Sequence, residues 1–254
     1  MKLLKAMAIA FSIYSKIPVP QFEWKEEDME YMMCFFPWIG GVIGLFFFGW
    51  AVLCEKFAVG NVCYALTGAA IPLMISGGFH VDGYMDTMDA FHSYQSREKK
   101  LEILKDSHIG AFAAIMLALY YMIDIAAISE IHTQKAVSAL AAIFFLARCF
   151  SGIAVMTLQP AKKEGLLYTF ASSAQKVRVK AALYFQAALC VVLMLLVSGW
   201  YGAAAIGAAL LSFFYFKKKS YKELGGITGD TAGFFVTVCE AAAAAAVAVA
   251  GYFL

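Results

Sequence analysis

The chain has 254 residues, is 62% hydrophobic and only 15% charged, and carries a formal net charge of +2. Such a composition excludes a soluble domain with one buried core and describes an all-α, polytopic integral membrane helix bundle. The hydrocarbon layer needs roughly 20 apolar residues per helix, because every backbone N–H and C=O must be paired within the segment.

Seven stretches qualify, at about 31–53, 58–79, 110–130, 136–158, 181–199, 202–217 and 231–254. Ahead of them, "MKLLKAMAIAFSIYSKIPVP" has a short apolar run broken by Lys16 and two prolines. An interfacial amphipathic segment is therefore expected there rather than a cleaved signal peptide. The acidic stretch "EWKEEDMEYM" (23–32) is expected to cap the first span, since carboxylates favour a helix N-terminus. Within that span, Gly40 and Gly44 form a G-x-x-x-G, which lets another helix approach closely.

The second span ends in "GGFHVDGYMDTMDAFHSY" (77–94), where Asp82, Asp86 and Asp89 stand at i, i+4 and i+7. On a helix of 100° per residue they fall within a wedge of about 60°. Three carboxylates on one stripe repel each other unless a cation sits among them, and Mg²⁺ or Mn²⁺ is the usual partner of all-oxygen ligands. No Lys or Arg lies between residues 80 and 96 to neutralise them. His80 beside the cluster is expected to serve as a proton relay, to hydrogen-bond phosphate, or to be a satisfied interfacial histidine. The following knot, "LEILKDSHIGAF" (101–112), opens the third span, with Asp106 or Ser107 as its expected N-cap. The free N–H groups of that helix start, with Lys105 and His108, make an anion site.

Three ionisable residues fall inside spans: Asp124, Arg148 and Glu240. Charges at that depth are paired or functional, and Arg148 and Glu240 are expected at similar depth. Before the last span, "ELGGITGDTAGF" (223–234) is a glycine-rich helix entry whose Thr228 and Asp230 are suited to phosphate or metal. The alanine-rich "EAAAAAAVAVAG" that follows is expected to pack closely. Six scattered cysteines, with no CxxC pair, are expected as small packing residues.

Cationic residues collect in alternate loops. With the N-terminus cytoplasmic, the inner segments hold Lys2 and Lys5, then Arg97 to Lys105, then Lys162 to Lys180, then Lys217 to Lys222, while the outer turns hold only Lys56 and Lys135. The positive-inside rule then gives an N-in, C-out topology. The site loops, about 80–109, 159–180 and 217–230, face the cytoplasm on a single membrane-embedded domain spanning 1–254.

"GGFHVDGYMDTMDAF" followed by "REKKLEILKDSHIGAF" closely resembles the signature of the cobalamin synthase family, the adenosylcobinamide-GDP ribazoletransferases. "FSIYSKIPVP", "PWIGGVIG", "GGITGDTAGF" and Glu240 look like that family's further markers, so the resemblance spans nearly the whole chain. It implies a bacterial plasma-membrane enzyme that joins α-ribazole, or its 5′-phosphate, to adenosylcobinamide-GDP with Mg²⁺, releasing GMP. It further implies that Asp82, Asp86 and Asp89 hold Mg²⁺, that His80 or one aspartate is the base, and that Lys105 and Arg148 clamp phosphate. Asp106, Ser107, His108, Thr228, Asp230 and Glu240 complete the implied substrate-binding set. The expected partners are these substrates, the lipid bilayer and other cobalamin-assembly enzymes, with no nucleic acid. Two positions depart from the usual signature: Ala90 replaces a frequent glycine, and His108 stands where arginine is common. The second weakens the anion site, since histidine is only partly charged near neutral pH.

Two rivals remain at this point. A CDP-alcohol phosphatidyltransferase also sets aspartates on membrane helices, but its D-G-x-x-A-R is not completed after Asp82-Gly83. A transporter would use Asp124, Arg148 and Glu240 near the midplane, whereas the polar chemistry here lies at one edge.

Overall fold

A computed structural model describes residues 2–20, 23 and 25–253 of the protein. Eleven α-helices appear among them: α1 (Lys2–Tyr14), α2 (Phe36–Lys56), α3 (Asn61–Ser76), α4 (Phe79–His92), α5 (Arg97–Ile103), α6 (Ala111–Ile128), α7 (Gln134–Thr157), α8 (Leu166–Ser173), α9 (Lys176–Ser198), α10 (Trp200–Leu224) and α11 (Gly229–Gly251). The described residues contain no strand beyond an isolated bridge, Pro160 to Ile227.

Helices α2, α3, α6, α7, α9, α10 and α11 occupy the seven expected stretches. Five of them, α2, α6, α7, α9 and α11, are long and apolar enough to cross a membrane, and α3 with α4 makes a sixth if that bent pair counts as one span. The seven expected spans are thus five or six by this measure. Helix α3 has only 16 residues, and α10 carries Lys217, Lys218, Lys219 and Lys222 toward its end.

Helix α11 sits at the centre with α7, because its glycines and alanines let neighbours come close. Glycines also bring α2 onto α7: a Cβ on Gly40 would lie 2.0 Å from the Phe144 carbonyl oxygen, and one on Gly44 would lie 2.1 Å from that of Ala141. The G-x-x-x-G is therefore a helix-packing device, as expected. Gly44→Val is expected to cost about 3 kcal/mol, the upper end of overpacking, because the obstruction is backbone. Thermal unfolding in detergent would show it against Gly49→Val, whose Cβ meets nothing within 4 Å.

Helix α1 packs Ala6, Ile9, Ala10 and Tyr14 against the body and leaves Leu3, Leu4 and Met7 exposed, as an interfacial helix does. The acidic stretch behaves differently from expectation. Helix α2 starts at Phe36 with no acidic residue in its first turn. Asp28 instead pairs with Lys5 of α1 at 3.3 Å, so it ties α1 down rather than capping α2. Trp24 of that stretch lies outside the described residues. All six cysteines are free thiols.

Candidate active site

The aspartate stripe is placed by two glycines in succession. Gly77 and Gly78 both adopt positive φ, 68° and 85°, a region that disfavours residues with a Cβ. They end α3 and turn α4 by 97°. Helix α4 therefore packs against α11 and α6 and brings Asp89 to the N-terminus of α6.

Close backbone contact then joins α4 to α11. A Cβ on Gly83 would lie 2.8 Å from the Asp230 carbonyl oxygen, and one on Gly233 would lie 3.1 Å from that of His80. This approach sets Asp230 beside Asp82 and Asp86. Thr228 caps α11 by accepting from the Thr231 N–H at 3.1 Å, and its hydroxyl donates to the Asp230 carboxylate at 3.3 Å. A second strap comes from the loop after α7. The Ala161 N–H donates to Ile227 at 2.8 Å and the Ile227 N–H to Gln159 at 3.0 Å. Gly226 leaves room for this crossing, since a Cβ there would lie 2.6 Å from the Gln159 oxygen. The strap brings Lys162 to the same edge.

Among these parts lies a cavity of about 280 Å³. Its inner wall is apolar and aromatic, with Tyr14, Phe36, His80 and Phe170 all buried. Its polar side carries exposed Asp82 and Glu164, half-buried Asp230 and Lys162, and buried Thr228. Burial first, then the like charges of Asp82, Asp230 and Asp89, push the Asp86 carboxyl up to about 7.

Asp89 has a different task from the one its spacing predicts. Its two oxygens accept from the N–H groups of Gly110 at 2.7 Å and Ala113 at 2.9 Å, so it caps α6 from another helix. That corrects the expected cap as well, because Asp106 accepts from His108 Nδ1 at 2.6 Å and Ser107 makes no cap. A Cβ at position 110 would lie 2.5 Å from the Asp89 carboxylate, so a larger residue there displaces this cap.

The described residues contain no group of three His, Cys, Asp or Glu side chains already spaced to hold a metal ion. The donors nevertheless fit a hard divalent cation. Asp82, Asp86 and Asp230 offer oxygen donors whose like charges repel each other, a repulsion that a bound cation would relieve.

Other expected site residues lie elsewhere. Arg148 is 1% exposed and donates to Glu240 at 2.7 Å and to the Phe144 carbonyl at 2.7 Å, so the pair meets in the bundle core as expected and does not line the cavity. Lys105 is exposed and bonds Glu164 at 2.6 Å. His108 is exposed with Asp106, outside the cavity. Asp124 is buried on α6. Sequence reasoning missed Lys162, which counted only as one more loop cation, and Tyr14, Phe36 and Phe170. An aromatic side chain in such a chain gives no signal that separates a cavity wall from ordinary packing.

A bundle of helices apolar enough to span a membrane, with a carboxylate cluster and an adjoining cavity at one end, has the make-up of a membrane enzyme. The chain belongs to the Cobalamin-5-phosphate synthase family, whose pattern matches residues 6–248. It is 44% identical over 250 residues to an adenosylcobinamide-GDP ribazoletransferase of Lachnoclostridium phytofermentans, covering 98% of this chain and 95% of the relative. Proteins of the same name from Clostridium botulinum strains Alaska E43 and Eklund 17B are 31% and 34% identical over 242 residues, with 94% of each chain covered. No solved structure matches. The family membership disfavours both the CDP-alcohol and the transporter readings.

Proposed function

We propose that this protein transfers adenosylcobinamide phosphate from adenosylcobinamide-GDP to α-ribazole or its 5′-phosphate, releasing GMP. The observation that carries the reading is the convergence of Asp82, Asp230 and Lys162 at one edge of a cavity, with Asp86 in electrostatic reach of both carboxylates, in a chain of this family. A ribazole hydroxyl attacks the phosphorus nearer the cobinamide. The new P–O bond forms as the bond to the GMP oxygen breaks, and the hydroxyl proton passes to a carboxylate at the cavity edge. Lys162 offsets charge on the diphosphate, and the Thr228 cap holds Asp230 in place.

Asp82, Asp86 and Asp230 are the residues that would hold Mg²⁺. When bound, such an ion neutralises phosphoryl oxygens and lowers the barrier to displacement. Because Asp86 titrates near 7 without a cation, binding displaces a proton. Mg²⁺ affinity is expected to tighten by about tenfold per pH unit below 7 and to level off above it. Calorimetric titration in lipid nanodiscs checks this, and an affinity flat from pH 6 to 8 would contradict it.

The clustering of Arg97, Lys105, Lys162 and Lys219 at the α4 end supports placing that end in the cytoplasm of a bacterial plasma membrane. Purified protein offered adenosylcobinamide-GDP with α-ribazole, or a CDP-activated alcohol with its acceptor, tests the reading. Turnover of the first pair alone is expected.

A further inference from the structure

We infer that the aromatic cavity is the seat of the acceptor's heteroaromatic base, with His80 reading that base's free ring nitrogen; this rests on the transfer reaction proposed above. Two sequence-distant elements, α1 and α2, set aromatic rings against His80. Tyr14 of α1 is parallel to it, with an interplanar angle of 3° at a 6.0 Å centroid distance, and Phe36 lies at 5.6 Å. Phe79, its chain neighbour, stands edge-on at 5.7 Å. Phe170 of α8 closes the far side of Tyr14 at 6.2 Å.

His80 is only 5% exposed, yet neither ring nitrogen has a hydrogen-bond partner. Buried polar atoms without partners are rare in folded proteins, and one that lines a cavity marks where a ligand completes the pairing. A neutral imidazole offers one N–H donor and one acceptor.

The chemistry of the wall selects among the parts of the two substrates. A corrin ring is too large for about 280 Å³. Guanine presents several donors and acceptors along its edge, each of which would need a buried partner, and the inner wall supplies only the Tyr14 hydroxyl, His80 and Ser151. The benzimidazole of ribazole is flat, apolar and has a single free ring nitrogen, which suits stacking surfaces and one donor. Its ribose then points toward the edge where Asp82 and Asp230 stand, which is where the attacking hydroxyl is needed.

Turnover kinetics in nanodiscs, with saturating Mg²⁺, test the assignment by comparing α-ribazole with its dimethylindole analogue, which lacks the free ring nitrogen. Wild type is expected to favour ribazole by about tenfold in kcat/KM, the scale of one hydrogen bond. His80→Leu should abolish that preference and His80→Gln, which keeps an N–H, should retain part of it. Phe170→Ala is expected to raise the KM for ribazole about fivefold to tenfold and leave the KM for adenosylcobinamide-GDP unchanged. Phe170→Leu, a milder change on a short peripheral helix, should raise it less, which keeps the test open if the alanine variant is unstable. An unchanged preference in His80→Leu, or a raised KM for the corrinoid instead of ribazole, would overturn the assignment. Failure of the wild type to use ribazole at all would overturn the proposed reaction itself.

Discussion

Asp86→Asn is expected to lower kcat by about 10²- to 10³-fold, whereas Asp89→Asn, one helical turn further along the same stripe, should act mainly on stability. The two carboxylates share a face of α4 but meet different neighbours. Asp86 lies among Asp82 and Asp230 in a partly buried gap, where only a cation or a proton balances its charge. Replacing it removes a carboxylate that would hold the cation against negative phosphoryl oxygens, and loss of one such electrostatic group costs roughly 10²- to 10³-fold. Asp89, further along the same face, satisfies two N–H groups at the start of α6. An amide in its place still accepts one hydrogen bond, so the loss is about 1 kcal/mol, that of a weakened cap. Turnover at a series of Mg²⁺ concentrations, with thermal unfolding of each variant, separates the two. A loss of turnover in Asp89→Asn equal to that in Asp86→Asn would return Asp89 to the catalytic group.

Arg148→Met is expected to destabilise the bundle by about 3–5 kcal/mol, because it leaves Glu240 as an unpaired charge in the core. The pair joins α7 to α11 at 2.7 Å, with both residues almost fully enclosed. Glu240→Gln should be milder, since an amide still accepts from the guanidinium. The double replacement Arg148→Met with Glu240→Leu should recover most of the stability, because no charge is then buried alone. Unfolding midpoints in one detergent check the series. If Arg148→Met stayed as stable as wild type while the KM for adenosylcobinamide-GDP rose, Arg148 would be a phosphate ligand and not a structural cation.

The apolar helices were legible because the requirement for paired backbone in lipid leaves long apolar runs in the sequence; seven helices overlap the predicted runs, five or six of them suited to span, and α10 continues seven residues past its predicted end. The carboxylate face of α4 was legible for a similar reason, since i, i+4, i+7 spacing is a property of one helix alone. What spacing could not reveal was the neighbour of each carboxylate. Asp89 and Asp86 look alike in sequence, and only the 97° turn at Gly77 and Gly78 sets one over α6 and the other beside Asp230. The same turn explains why Asp106 and Ser107 do not cap α6: a cap from another helix already stands there. Lys162 and Phe170 were illegible because they reach the site through the strap at Pro160 and Ile227 and through α8, contacts made between residues far apart in the chain.

The most direct test of the proposed reaction is product stoichiometry. Protein purified into lipid nanodiscs would be given adenosylcobinamide-GDP, α-ribazole and Mg²⁺, and GMP and adenosylcobalamin measured together over time. Equal amounts of the two products, formed by wild type and lost in Asp82→Asn and Asp86→Asn, are expected. GMP released without adenosylcobalamin, or no product from folded wild-type protein, would contradict the transfer.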